Sequence, residues 1–435
     1  MTTAHRLLIV GTVELVLLTG LGWLPAAHRF PWPGLIVFAA AFIAYAGAAL
    51  LAGRDRAAPL DARVVWGVAV LMRLALLPLD PLLSDDFYRY LWDGHVQMSG
   101  TNPYLFAPSA PEVEGLRTAY HPLINNPDVP TIYPPLAQIV FLFIAAIGSS
   151  VTVMKSIWIA ADLATGAVLV RVARATGRPE AVVLLLYLWS PLLVVEIAWS
   201  GHLESLGLLM LALAILATVR AREKTGGWLP GAAGSALALS ALTKFAPAAA
   251  LPALFRRWGW KAVFGFGATA LLLYAPYAIA GDRLFAGLRT YGEHWWFMKG
   301  AFGAIEAVTG DPLVARRLAG VLVICVIAWT AFARFDLERA LLWVLGTGMI
   351  LTPTLHPWYV LWMLPMAALR RARPWLLLSG LAFIGYFGLG AYRETGEWLQ
   401  PGAVRAALWL PFFAVLFMEA SQLLSGRAVE REVSA

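Results

Sequence analysis

The sequence predicts an all-α membrane protein: a polytopic helical bundle of about 12–14 spans, with a long outer loop that carries interfacial helices. Three observations predict it. Of 435 residues, 60% are hydrophobic and only 14% charged, against about 25% charged in an average soluble domain. Apolar runs near the roughly 20 residues of a spanning helix recur along the whole chain. Basic residues gather in alternate connections between those runs, which is the bias of cytoplasmic loops.

Taken in order, the runs are 7–24, 33–52, 64–81, 152–171, 181–198, 203–219, 230–243, 245–255, 262–280, 313–333, 339–353, 357–369, 374–391 and 403–424. The first has a basic start and a Pro-Ala-Ala stretch, as a signal peptide would. Its apolar stretch continues to about Pro25 and carries Glu14, so it reads as a span. The pair 230–243 and 245–255 is interrupted by Gly and Pro. It reads as two broken helices or a re-entrant hairpin around Lys244. Residues 136–148 would reach only about 20 Å as a helix, so they are assigned to the outer surface as an interfacial helix.

Alternation from a cytoplasmic N-terminus then places most of the basic residues inside. These include Arg54, Arg56 and Arg63; Arg171, Arg174 and Arg178; Arg220, Arg222 and Lys224; Arg256, Arg257 and Lys261; Arg370, Arg371 and Arg373; and Arg427 and Arg431. Both termini are cytoplasmic in this reading. The net charge of +7 is therefore a topology signal, not a nucleic-acid patch. Residues 1–435 read as a single transmembrane domain. Two polar stretches, 82–150 and 281–312, fall outside as loops. The one cysteine, Cys325, allows no internal disulfide.

The residues able to carry chemistry collect on that outer side. Six of seven histidines fall there: His28, His95, His121, His202, His294 and His356. So do Asp85, Asp86, Arg89, Glu196, Glu204, Lys244 and Arg393. The inner side holds mainly arginine, with His5. The densest cluster is SDDFYRYLWDGHVQMSGTNPY, Ser84 to Tyr104. A carboxylate at the edge of lipid can have a raised pKa and act as a general base, which makes Asp85 and Asp86 candidates. On a helix, Asp86, Arg89, Tyr90 and Asp93 share a face, and Arg89 there can hold a phosphate. The plainer alternative is an interfacial helix with an aspartate N-cap and belt aromatics.

Further motifs follow. In TIYPP, Tyr133-Pro134-Pro135 sets a rigid, extended entry to the surface helix. WSGHLES joins two spans almost without a loop and places His202 and Glu204 at the rim, where an ionisable group can also simply reach water. Lys244 in LTKFAP lies at broken backbone and can bind phosphate or snorkel. YGEHWWF contains His294, and TLHPWY contains His356 and Tyr359. Aromatics there can stack on sugar rings or populate the interface belt. Arg73 and Asp162, both near mid-membrane, are expected to form an ion pair. Neither a P-loop, a dinucleotide glycine pattern nor Cys/His metal spacing is present. Adjacent aspartates can hold Mg²⁺ or Mn²⁺ through water, but two ligands fall short of a site, so no cofactor is assigned.

SDDFYRYLWDG followed by GTNPY, then TIYPP, SGH, LTKFAP and HPWY, resembles the bacterial polytopic glycosyltransferases of the GT-C fold. The branch it resembles most uses polyprenyl-phosphate-linked sugars, as mannosyltransferases do. The likeness runs over roughly residues 80–400. It implies a GT-C-like bundle in the cell inner (plasma) membrane with its active site on the periplasmic or extracellular face. It implies an inverting transfer of a sugar, mannose foremost, from a polyprenyl-phosphate donor to a hydroxyl of a lipid or glycan acceptor. Asp85 and Asp86 correspond to the base position. Arg89, Lys244, His356 and Arg393 are the candidates around the donor phosphate, with Tyr133, His202, Glu204, His294 and Tyr359 completing the candidate set. Two departures stand out: the acidic loop follows the third expected span, where much of the fold has it after the first, and no large soluble domain follows the bundle. The alternative function is a transporter or flippase of lipid-linked glycans, or a non-catalytic subunit of an envelope-glycan complex. Transporters often carry paired repeats and midplane polar sites; the crowding of polar residues on one face favours an enzyme.

Overall fold

A computed structural model describes residues 3–24, 32–54, 60–223 and 227–424. His28, Arg56, Lys224, Arg427 and Arg431 lie outside the described residues. Among the described residues the chain is helical, with no strand and one isolated parallel bridge between Phe297 and Thr354. Eight helices are long and apolar enough to cross a membrane, or nine if the bent pair Glu180–Leu188 and Pro191–Trp199 makes one crossing.

The remaining expected runs are shorter helices: Ala62–Leu76, Leu229–Ala241, Leu251–Trp258, Leu337–Leu351 and Leu364–Arg370. Proline is one cause. Leu229–Ala241, Leu251–Trp258 and Leu364–Arg370 each carry it in the first turn. It removes a backbone donor and clashes with the preceding turn, so the α-helix does not continue backward; before Leu251 and Leu364 the chain runs instead as the tighter helices Ala246–Ala250 and Pro357–Met363.

The centre of the bundle is the chain from residue 182 to 208, buried without a break. A helix apolar on every side fits only there. Trp260–Tyr274 and Pro312–Phe332, by contrast, expose Phe264, Leu271, Leu322 and Ile324, a surface suited to lipid. Arg73 and Asp162 form the expected pair at 2.9 Å, both fully buried, and Arg73 also donates to the Leu188 carbonyl at 2.6 Å. Glu14 is fully buried too, with no hydrogen bond to either oxygen.

The stretch 82–150 is ordered into helix Asp86–Met98, the tight turns Pro111–Leu116 and His121–Leu123, and helix Pro135–Ile147. The two helices pack so closely that a Cβ on Gly94 would lie 2.3 Å from the Phe141 carbonyl oxygen. GTNPY is tied down as well: the Tyr104 hydroxyl donates to the Tyr133 carbonyl at 2.7 Å. The second stretch, 281–312, contains helices Ala286–His294 and Ala301–Thr309.

The bundle has two distinct ends. Helix Glu204–Glu223 begins at Glu204 and carries Arg220 and Arg222 in its last turn, about 30 Å away. Around that far end Arg174 pairs with Glu180, Arg178 and Arg370 share Glu338, and Arg222 faces Asp336. The acidic loop and the histidine motifs lie at the other end.

Candidate active site

The acidic loop leaves helix Ala62–Leu76 as turns and extended backbone. Asp85 stands at the N-cap position of helix Asp86–Met98, but its side chain makes no capping bond. The Ser84 hydroxyl instead accepts from the Asp86 N–H. The Asn125 amide donates to Asp85 Oδ1 at 2.6 Å and to Asp86 Oδ1 at 2.9 Å. One amide thus clamps two carboxylates side by side. Burial and the charge of Asp85 push Asp86 up to about 6, against the opposing pull of Asn125 and Lys244. Asp85 is also raised, by burial, while Asn125, its own backbone and Arg393 oppose the rise. Two like charges this close resist being ionised together.

Distant segments close around this pair. The N–H of Leu136, at the start of its helix, donates to the Leu242 carbonyl at 3.0 Å, which joins TIYPP to LTKFAP. Beyond the end of helix Leu229–Ala241, Lys244 reaches back to the Glu204 carboxylate and lies 4.8 Å over the Tyr359 ring. The Phe297 N–H donates to the Pro353 carbonyl at 2.9 Å, and the Phe297 carbonyl accepts from the Leu355 N–H at 2.8 Å. This pairing brings YGEHWWF against HPWY. A column of rings results: Phe297 on His356 at 4.7 Å, His356 on Trp358 at 4.5 Å, and Trp358 on His202 at 4.0 Å. Burial and Lys244 hold His356 down to about 3, so it is a neutral imidazole able to donate one hydrogen bond. The Tyr291 and Tyr359 hydroxyls meet at 2.5 Å. Arg393 donates to the Leu82 carbonyl.

The space enclosed is about 610 Å³, within the usual range for a small-molecule pocket. Asp85, Asp86, Arg89, Tyr133, Lys244, His356, Tyr359 and Arg393 all line it. His202 and Glu204 are fully buried against it: Glu204 holds Lys244, and His202 faces Glu196 at 3.4 Å under Trp358. His294 does not line it; it is exposed, with Nδ1 at 3.0 Å from the Thr290 carbonyl. His95 and His121 turn instead to the Leu116 and Pro108 carbonyls. Arg89 reaches the wall with its charge largely matched, by Asp93 at 2.9 Å and the Val129 carbonyl at 2.9 Å. Asp93 is the hub of that network and also accepts from Thr131 and Gln138.

Asn125, Tyr291, Tyr392 and Trp398 line the cavity without having been singled out. Asn125 sits in an irregular loop before Asn126, whose φ is +46°, and no local pattern ties it to carboxylates forty residues away. Among the described residues, no group of three or more His, Cys, Asp or Glu is placed to hold a metal ion.

A family model described as alpha-(1->6)-mannopyranosyltransferase, N-terminal domain, matches residues 8–260, and no curated protein or solved structure matches significantly. The matched region is more than half of the 435 residues and contains both aspartates, Asn125 and Lys244. With its all-helical, repeatedly spanning bundle, the chain belongs to this family of polytopic, GT-C-like mannosyltransferases.

Proposed function

We propose that the protein transfers mannose from a polyprenyl-phosphate carrier to a hydroxyl of a glycan or lipid acceptor, at the outer face of the plasma membrane, with Asp86 as general base. The observation that carries this reading is the carboxylate pair held by Asn125 in a cavity shared with Lys244, His356 and Arg393. Asp86 takes the proton of the acceptor hydroxyl. The oxygen attacks the anomeric carbon as the bond to the carrier phosphate breaks, and the phosphate leaves with the electron pair. Lys244 and Arg393 offset its charge, and neutral His356 donates a hydrogen bond. If the product is α-linked, as the family description states, inversion requires a β-linked donor. Asp85 contributes by raising Asp86 toward neutrality, where a base of this kind works best.

Sidedness is supported by the two ends of the bundle. The arginine-rich end carries the cytoplasmic signature, and the cavity lies at the opposite end. A carrier phosphate at headgroup level would then meet the cavity, with its chain among the lipid-facing helices. The test is incubation of the membrane-reconstituted protein with radiolabelled polyprenyl-phosphate mannose and an oligomannoside acceptor, with and without chelator. A new mannosidic bond that survives the mild acid which cleaves the donor is expected, and its loss in Asp86→Asn. Movement of the glycolipid across the bilayer without any new bond would overturn the reading in favour of a flippase.

A further inference from the structure

Backbone groups away from water need partners, and the segment leading to the aspartates supplies few of its own, such as the Leu79 N–H to the Leu76 carbonyl at 3.2 Å. Three other elements supply more. Lys155 Nζ donates to the carbonyls of Leu76, Leu77 and Leu79 at 3.0, 2.9 and 2.7 Å. Trp199 Nε1 donates to the Asp80 carbonyl at 2.8 Å, and Arg393 donates to that of Leu82. The root, middle and tip of the segment are thereby fixed by separate parts of the bundle.

Lys155 is the unusual member. Its side chain is fully buried, a costly place for an ammonium group. All three of its donors go to consecutive or near-consecutive carbonyls at a helix C-terminus, where the helix dipole favours a cation. We propose that Lys155 is a positioning residue for the transfer reaction: it clamps the root of the acidic segment and so holds Asp86 against the acceptor hydroxyl. The proposal rests on Asp86 being the base. It reaches further by placing control of that base in a helix that does not line the cavity.

The test is Lys155→Met in the full chain, reconstituted in lipid nanodiscs, by transfer kinetics and by amide hydrogen exchange. A displacement of about 1 Å at a reacting group costs about 100-fold. The kcat is therefore expected to fall about 100-fold, with KM for the lipid-linked donor within about threefold of wild type. Exchange should accelerate over residues 80–86 and stay unchanged in the spanning helices. An unaltered kcat, or unaltered exchange over 80–86, would overturn the proposal. Should Lys155→Met fail to fold, Lys155→Gln keeps a polar side chain at the same place but cannot hold all three carbonyls. It is expected to lower kcat about tenfold with KM kept, as the loss of a charged hydrogen bond does, and wild-type kinetics there would equally overturn the proposal. Asp86→Asn run in parallel separates the two readings: wild-type turnover in that variant removes the base assignment, while the exchange rates still decide whether Lys155 holds the segment.

Discussion

The two ends of the bundle both carry ion pairs, but in different balance. At the arginine-rich end Arg174 and Glu180 face water, 67% and 35% exposed, and only Glu338, shared by the half-buried Arg178 and Arg370, is enclosed. At the cavity end the pairs are enclosed: Arg89 and Asp93 are 8% and 1% exposed, Lys244 and Glu204 21% and 0%. Exposed pairs contribute little to stability, so the arginine end is best understood as the topology signal. Enclosed pairs cost desolvation that their attraction barely offsets. Charges kept at that cost, around a cavity, mark the place where charge has a use.

The contrast can be broken most directly at Asp86. Asp86→Asn is expected to lower transfer by about 10²–10⁴-fold, the usual contribution of a positioned base, in a radiolabel-transfer assay with unchanged thermal stability. Next comes the enclosed pair. Glu204→Leu should destabilise the protein by about 3 kcal/mol, because it strands the Lys244 charge. The double change Lys244→Met with Glu204→Leu should recover most of that stability in denaturant unfolding, yet leave transfer impaired.

Asn125→Ala removes the bonds that favour both ionised carboxylates and is expected to slow transfer about tenfold near neutrality, since hydrogen bonds to charged groups are worth about 1.5–3 kcal/mol. The pH profile sharpens this further. The base must be ionised to act, so kcat should rise with pH through about 6, where Asp86 titrates, and level off above. Lys244 lowers Asp86, so its removal should move the acid limb to higher pH, as Asn125→Ala should. Smallest of all, Arg174→Ala is expected to leave both melting temperature and transfer rate unchanged. A large loss there would erase the distinction between the ends.

Much of this was legible in the chain. Apolar runs and the arginine bias gave a helical membrane protein with acidic and histidine motifs opposite the arginines, because burial in lipid imposes length and composition directly. DD, LTKFAP and HPWY lie where an expected span ends, breaks or begins, and TIYPP opens the expected surface helix, so all four were legible as parts of one face. Pairings across sequence were not. Whether Arg89 faces a ligand or Asp93 depends on the helix turning Asp93 toward Thr131 and Gln138. Asn125 as a clamp and Lys155 as an anchor depend on loops whose course no periodicity encodes. His294 illustrates the reverse error: its neighbour three residues back, Tyr291, faces the cavity, and the helix turns the imidazole outward.

The cavity is also divided along the chain. The region matched by the family model supplies the aspartates, Asn125 and Lys244, whereas Tyr291, His356, Tyr359, Tyr392 and Arg393 come from the residues after it. Both parts of the chain therefore build the same walls, with Arg89 and Tyr133 from the first facing His356 and Arg393 from the second. Neither part alone would enclose the space, so the pocket comes into being only once the last third of the polypeptide has docked on the rest.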